Sequence, residues 1–207
     1  MTGHPSCLAR FCLACLLAVS GAACRPAEPG RASSYVVVQS LEGASGARPD
    51  EFANTLASDV VTLVKATIGD EPVRVPTHFE DAGRVVFALA MKDVDVAPGP
   101  ANFVTFGRYR VVYVRADGRS QPGRDVPYPF DGAITMTVTD QPAAATLTLV
   151  RAQAKEEPPL RALAGGGGAR AVSTIAEVTF YGHDQTGRDV TATAAISIHF
   201  ADWGDPE

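Results

Sequence analysis

Aspartates gather beside turn-forming residues along this chain: Asp93 and Asp95, then Asp117, Asp125 and Asp131, then Asp184 and Asp189. Hard oxygen donors from neighbouring loops can hold Ca²⁺. None of these segments has the EF-hand loop pattern, and an Asp in a β-turn commonly caps its own backbone instead. Aromatic residues accompany one group. Tyr128-Pro-Phe130 lies between Asp125 and Asp131 in a connection rich in Pro and Gly. Aromatics exposed on loops make stacking or partner surfaces, whereas aromatics at strand ends plug a core. The connections 117–132 and 183–189 are therefore the candidate binding loops, with a carbohydrate or Ca²⁺ as the alternative ligands.

Signals for catalysis are weak. Past the first two dozen residues the histidines are His78, His183 and His199, and no two have the spacing of a metal site. No serine sits in a Gly-x-Ser-x-Gly turn, and there is no phosphate loop. A hydrolase would need a pocket gathering His78 or His183 with a carboxylate and a hydroxyl from distant loops. The expectation is a non-catalytic protein without a cofactor. The basic run Arg108, Arg110, Arg115 and Arg119 forms no single broad patch, since Arg108 and Arg110 share one strand face and Arg115 takes the other. Lys and Arg total 18 against 23 Asp and Glu, a formal net charge of −5, which disfavours a nucleic-acid partner.

The elements that carry these residues read as strands. With 46% hydrophobic residues in 207, the chain can bury a core. In 190–200, Val190, Ala192, Ala194, Ile196, Ile198 and Phe200 form one apolar face, and Thr191, Thr193, Ser197 and His199 face the other way. The same period-two pattern marks Ile134, Met136 and Val138, then Leu147 and Leu149, then Val85, Phe87, Leu89 and Met91. Further strands are expected at 35–42, 108–115 and 174–181, separated by Gly, Pro and Asp turns. The segment 49–65 is ambiguous. Its β-branched end predicts a strand at 60–65, with a turn or short helical piece before it. Pro158-Pro159 breaks any long helix, leaving one helical turn over 159–164 to bridge two sheets. About eight strands over 35–200 argue for a single antiparallel sandwich.

Residues 1–23 differ in kind. Arg10 precedes the apolar run Phe11–Val19, and Ser20-Gly-Ala-Ala23 follows. This is the pattern of a secretory signal peptide, and the run is far shorter than the roughly 20 residues of a membrane-spanning helix. The segment Ser20-Gly-Ala-Ala-Cys24 resembles the lipobox of bacterial lipoproteins, with Gly21 where Leu is commonest. The resemblance implies that Cys24 becomes the lipid-modified first residue and that a membrane is a partner through that lipid. All four cysteines (Cys7, Cys12, Cys15 and Cys24) lie in this segment, so residues 25–207 hold no disulfide and no cysteine site. Residues 25–34 are rich in Pro, Gly and Ser and read as a tether. Arg25, rather than Asp, after the cysteine tilts the expected destination to the outer membrane.

The end of the chain resembles the closing hairpin of bacterial immunoglobulin-like domains. Glu177–Tyr181, the turn Asp184-Gln-Thr-Gly187 and the Thr/Ala-rich strand to Phe200 carry that likeness. Together these readings predict a signal peptide over 1–23 and a lipidated Cys24 with tether over 24–34. An all-β immunoglobulin-like sandwich then occupies 35–207, acting as an envelope binding or scaffolding module for other envelope proteins or glycans.

Overall fold

The computed structural model describes residues 32–205. The signal peptide expected over 1–23, Cys24 and the tether up to residue 31 lie outside the described residues. Ten strands are present: β1 (Ser34–Ala44), β2 (Thr55–Asp59), β3 (Thr62–Ile68), β4 (Glu71–Thr77), β5 (Asp81–Met91), β6 (Val104–Val114), β7 (Phe130–Val138), β8 (Ala143–Val150), β9 (Val172–Asp184) and β10 (Asp189–Ala201). One short helix, α1 (Ala152–Glu156), and a 3₁₀ turn at Leu160–Leu163 carry the chain from β8 to β9. Leu160 and Leu163 are buried there, as the expected helical turn between the sheets requires.

Two sheets pack face to face. One has the order β1-β5-β8 and the other β2-β10-β9-β6-β7. Their inner faces meet around Phe87 of β5, whose ring lies 4.9 Å from Phe106 of β6 and 4.9 Å from Phe180 of β9. Such contacts add about 0.5–1.5 kcal/mol each to the burial of the rings themselves. Two tyrosines of β6 also cross the gap. The Tyr113 hydroxyl donates to the Leu149 carbonyl at 2.6 Å, and the Tyr109 hydroxyl accepts from the Thr148 N–H at 3.0 Å. These bonds occupy backbone groups of β8, an edge strand of its sheet. Gly132 makes the Tyr109 position possible, because a Cβ there would stand 2.2 Å from the tyrosine ring.

The alternating faces fall where the sequence pattern puts them. Val190, Ala192, Ile196, Ile198 and Phe200 are buried, as are Ile134, Val138, Leu147, Leu149, Val85 and Phe87. In two strands the alternation changes phase. An extra residue between Val38 and Ser40 moves the buried set of β1 from Val36 to Leu41, and one between Phe106 and Arg108 moves that of β6 from Phe106 to Tyr109. These are β-bulges, which insert one residue and so swap the faces beyond it.

Three expectations are corrected. Among the described residues the strands number ten rather than about eight. They are not all antiparallel, since β2 runs parallel to β10. The turn or short helical piece expected before the 60–65 strand is a turn at 48–51 followed by a strand, β2: Leu56 and Ser58 point inward at period two and pairing with β10 overrides the helical spacing of Phe52, Leu56 and Val60. The strand expected at 60–65 is β3, shifted to Thr62–Ile68, and it is answered by β4, which two prolines had concealed.

Candidate binding surface

The predicted binding loops do not form one site. Along β6, Val104 pairs with Asp184 and Val114 with Ile175. The turn at 184–189 therefore lies beside the start of β6, and the connection 115–129 leaves from its far end, about 30 Å away at the rise of an extended strand. Asp117, Asp125, Asp131 and Asp184 have side-chain or turn partners close by. Asp117 accepts from Arg115 at 2.6 Å and Arg119 at 2.9 Å, and these guanidinium groups hold it well below the usual carboxylate range. Asp125 is lowered likewise by Arg124, at 2.8 Å. Asp131 pairs with Arg110 at 2.9 Å and Arg108 at 3.4 Å, across the outer face of β6 and β7. Asp184 is buried and folds onto its own turn, accepting from the Thr186 N–H, the Thr186 hydroxyl and the Arg188 N–H. Asp189 is exposed at the start of β10, opposite His183.

The aromatics divide. Tyr128 is exposed, with its hydroxyl end over Gly123. Phe130 packs inward, under the Arg151 guanidinium at 4.9 Å and edge-on to Tyr109. Among the described residues no three His, Cys, Asp or Glu side chains gather at metal-binding range.

The histidines also separate. His78 Nδ1 meets the Val60 carbonyl at 2.7 Å, whereas His183 pairs opposite Thr105 at the other end of the sandwich. His199 Nδ1 lies 2.8 Å from the Ser173 hydroxyl. Ser173 and His199 are register partners on the outer face of β9 and β10, and no carboxylate hydrogen-bonds that imidazole among the described residues. This is a cross-strand contact on an open sheet face. Strand register alone creates it, which is why spacing in the sequence did not show it.

A different surface stands out, one that sequence reasoning missed. Among the described residues, strands β3 and β4 form a two-stranded sheet that pairs with no other strand. Val64, Ala66 and Ile68 share one face with Val73 and Val75, and Val64, Ile68 and Val75 are 36%, 66% and 38% exposed. Apolar side chains contiguous on a surface mark interaction sites, and an isolated hairpin gains little stability of its own. The only sequence signal was Gly69-Asp70 between two β-branched runs.

Shallow hollows flank the hairpin's base. One of about 290 Å³ is lined by Ser45, Arg48, Asp59 and Trp203, and one of about 320 Å³ by Ala47, Leu63, Lys65 and Phe79. Beneath them lies a buried polar cluster. Lys155 Nζ donates to Asp81 at 2.8 Å, the Ser58 hydroxyl donates to the other carboxylate oxygen at 2.5 Å, and the Gly46 N–H donates at 2.9 Å. Asp59 accepts from the Thr62 hydroxyl at 2.6 Å and the Trp203 N–H at 3.0 Å. Burial pushes both carboxyls up from their ordinary values, against the pull of these donors. The cluster joins the loop after β1 to β2, β5 and α1, and so fixes the hairpin's attachment.

The hairpin and the chain's entry to the fold are at opposite poles. Ser34 pairs with Met91 at one end of β1, and Ala44 with Ala82 at the other. The hairpin hangs between β2 and β5 at the Ala44 end.

No family model matches the chain, and no curated protein matches it. One solved structure, described as the X-ray structure of the Northeast Structural Genomics Consortium target SoR45, aligns over 82% of this chain and 86% of that chain. The identity is 11% and the TM-score 0.33, a likeness that carries no argument about function.

Proposed function

We propose that this protein is a non-catalytic, lipid-anchored module of a bacterial cell envelope, held by Cys24 and presenting the β3–β4 hairpin to a protein partner. The observation that carries the reading is the polarity of the fold. The tether joins at the Ser34 end of β1, and the apolar hairpin projects from the opposite end. An anchor at the first pole aims the second away from the membrane, where other envelope proteins are within reach. The immunoglobulin-like reading of the sandwich draws support from strand order, since β10-β9-β6-β7 facing β1-β5-β8 follows the GFCC′ arrangement of variable-type domains. The hairpin would then be an insertion into that frame.

A carbohydrate or calcium module is the weaker alternative. It asks loops 117–132 and 183–189 to act together, and they lie at opposite ends, their principal carboxylates already engaged. The anchor is tested by detergent-phase partitioning of the full chain. The native protein enters the detergent phase and Cys24→Ala leaves it in the aqueous phase. Equal partitioning of the two overturns the anchor.

A further inference from the structure

The hairpin has one closed edge and one open edge. Its turn is the two residues Gly69-Asp70, with Gly69 at φ +65° and no positive φ at Asp70, the type II′ arrangement. Such a turn makes Ile68 and Glu71 a hydrogen-bonded pair, and paired and unpaired positions alternate from there. The pairs Thr67–Pro72, Lys65–Arg74 and Leu63–Pro76 then direct their backbone groups outward. On β4 two of those outward residues are prolines, which leaves Arg74 as the outward donor between them and blunts that edge against strand addition. On β3 the Leu63 N–H is taken by the Asp205 carboxylate at 2.6 Å, which agrees with its outward direction. The N–H and C=O groups of Lys65 and Thr67 have no partner among the described residues.

We propose that the β3 edge pairs, antiparallel, with the same edge of a second copy about a two-fold axis at Ala66. This deepens the anchored-module reading by naming the hairpin's partner. In this register Lys65 of each copy faces Thr67 of the other, so both open residues of β3 complete their bonds. Val64 faces Ile68 and Ala66 faces Ala66, which merges the apolar faces of two hairpins into one four-stranded sheet. An axis at Lys65 would oppose like charges and require the Leu63 N–H that Asp205 already holds. An axis at Thr67 would set Lys65 against the turn. The chain is thus self-complementary in one register, as a two-fold interface demands. Seven-residue strands make a small contact, below the size of interfaces that persist in dilute solution. The inference rests on the anchored reading for local concentration, since confinement of both copies raises it to roughly millimolar.

The test uses the full chain with Cys7, Cys12, Cys15 and Cys24 replaced by serine, at roughly millimolar concentration. Ala66→Cys then carries its only thiol. Directly opposed residues at an unpaired position sit about 4.5 Å apart between Cα atoms, within disulfide range. Under mild oxidation the Ala66→Cys dimer is expected to form about tenfold faster than that of Val94→Cys, which is exposed at the other pole. Adding Thr67→Pro, which removes an outward donor, or Thr67→Lys, which sets like charges opposite, returns the rate to the Val94→Cys level; circular dichroism verifies that each monomer is folded. Equal rates for the two cysteines, or no effect of either Thr67 change in folded protein, overturns the proposal. Because Cys24 is absent here, such a failure leaves the anchor to its own partitioning test.

Discussion

Lys155→Met probes the buried pair that holds the hairpin's base. Lys155 and Asp81 are 1% and 0% exposed, and methionine keeps most of the stem while removing the charge. Deleting one member of a buried pair leaves the other charge uncompensated and costs about 3–5 kcal/mol. In a domain of this size about 1 kcal/mol moves Tm by about 2–4 °C, so the expected fall is roughly 6–20 °C. The lower part of that range applies, because the Ser58 hydroxyl and the Gly46 N–H still donate to the carboxylate. The dependence on pH identifies the cause. Burial raises the Asp81 pKa and the Lys155 charge is the main opposing influence, so its removal raises the pKa further. An acid whose folded pKa exceeds its unfolded one binds more protons when folded, and stability is then lost as pH rises through the folded pKa. The deficit of the variant is accordingly smaller near pH 5 than near pH 8. Urea unfolding followed by circular dichroism at both values measures it. A loss under about 1 kcal/mol near pH 8, or the same deficit at both, would refute a buried charged pair. Asp81→Asn added to Lys155→Met restores part of the stability, since the amide oxygen accepts one of these donors without carrying a charge.

Two further substitutions test the packing. Ile196→Asp places a carboxylate on the core face of β10, where Ile196 is 3% exposed, and abolishes cooperative unfolding; a variant that melts like the native protein would mean the strand's faces are reversed. Gly182→Ala sets a Cβ 2.3 Å from the Thr105 carbonyl oxygen and 2.9 Å from the Phe106 Cα, backbone that cannot swing aside, and costs about 2 kcal/mol or more. Gly107→Ala meets nothing within 4 Å and is the matched control, with a cost below about 1 kcal/mol in the same denaturant titration.

Much of the sandwich was legible because a half-buried strand writes its face into the sequence. β10 is the plainest case, where six alternate apolar residues matched the inward set from Val190 to Phe200. The helical turn ahead of β9 was legible too, from the proline pair. The bulges at Gln39 and Gly107 were not, because each shifts the phase of the alternation by one residue and only the partner strand shows where the extra residue sits. Strand β4 was hidden for another reason: proline is a poor strand former, although Pro72 and Pro76 both occupy positions where an edge strand has no N–H to lose inside its ladder.

The candidate loops illustrate the same boundary. Asp117, Asp125, Asp131, Asp184 and Asp189 look alike as turn residues, yet pairing along β6 separates the 184–189 turn from the 115–129 connection, and Arg108 and Arg110, distant in sequence, claim the oxygens of Asp131. The buried cluster of Asp81, Lys155, Ser58 and Gly46 draws on four separated segments and leaves no spacing signature.

Residue order alone settled the strands with unbroken alternation, β5, β8 and β10, with the side of each that turns inward, and that residues 25–207 contain no cysteine, since these follow from local periodicity and composition. Strand partners, the parallel seat of β2 beside β10, the ion pair beneath the hairpin and the exposure of one hairpin edge were decided only in three dimensions. Hydrogen-bond pairing and charge burial join residues that are distant along the chain, and nothing local encodes which distant residue will answer.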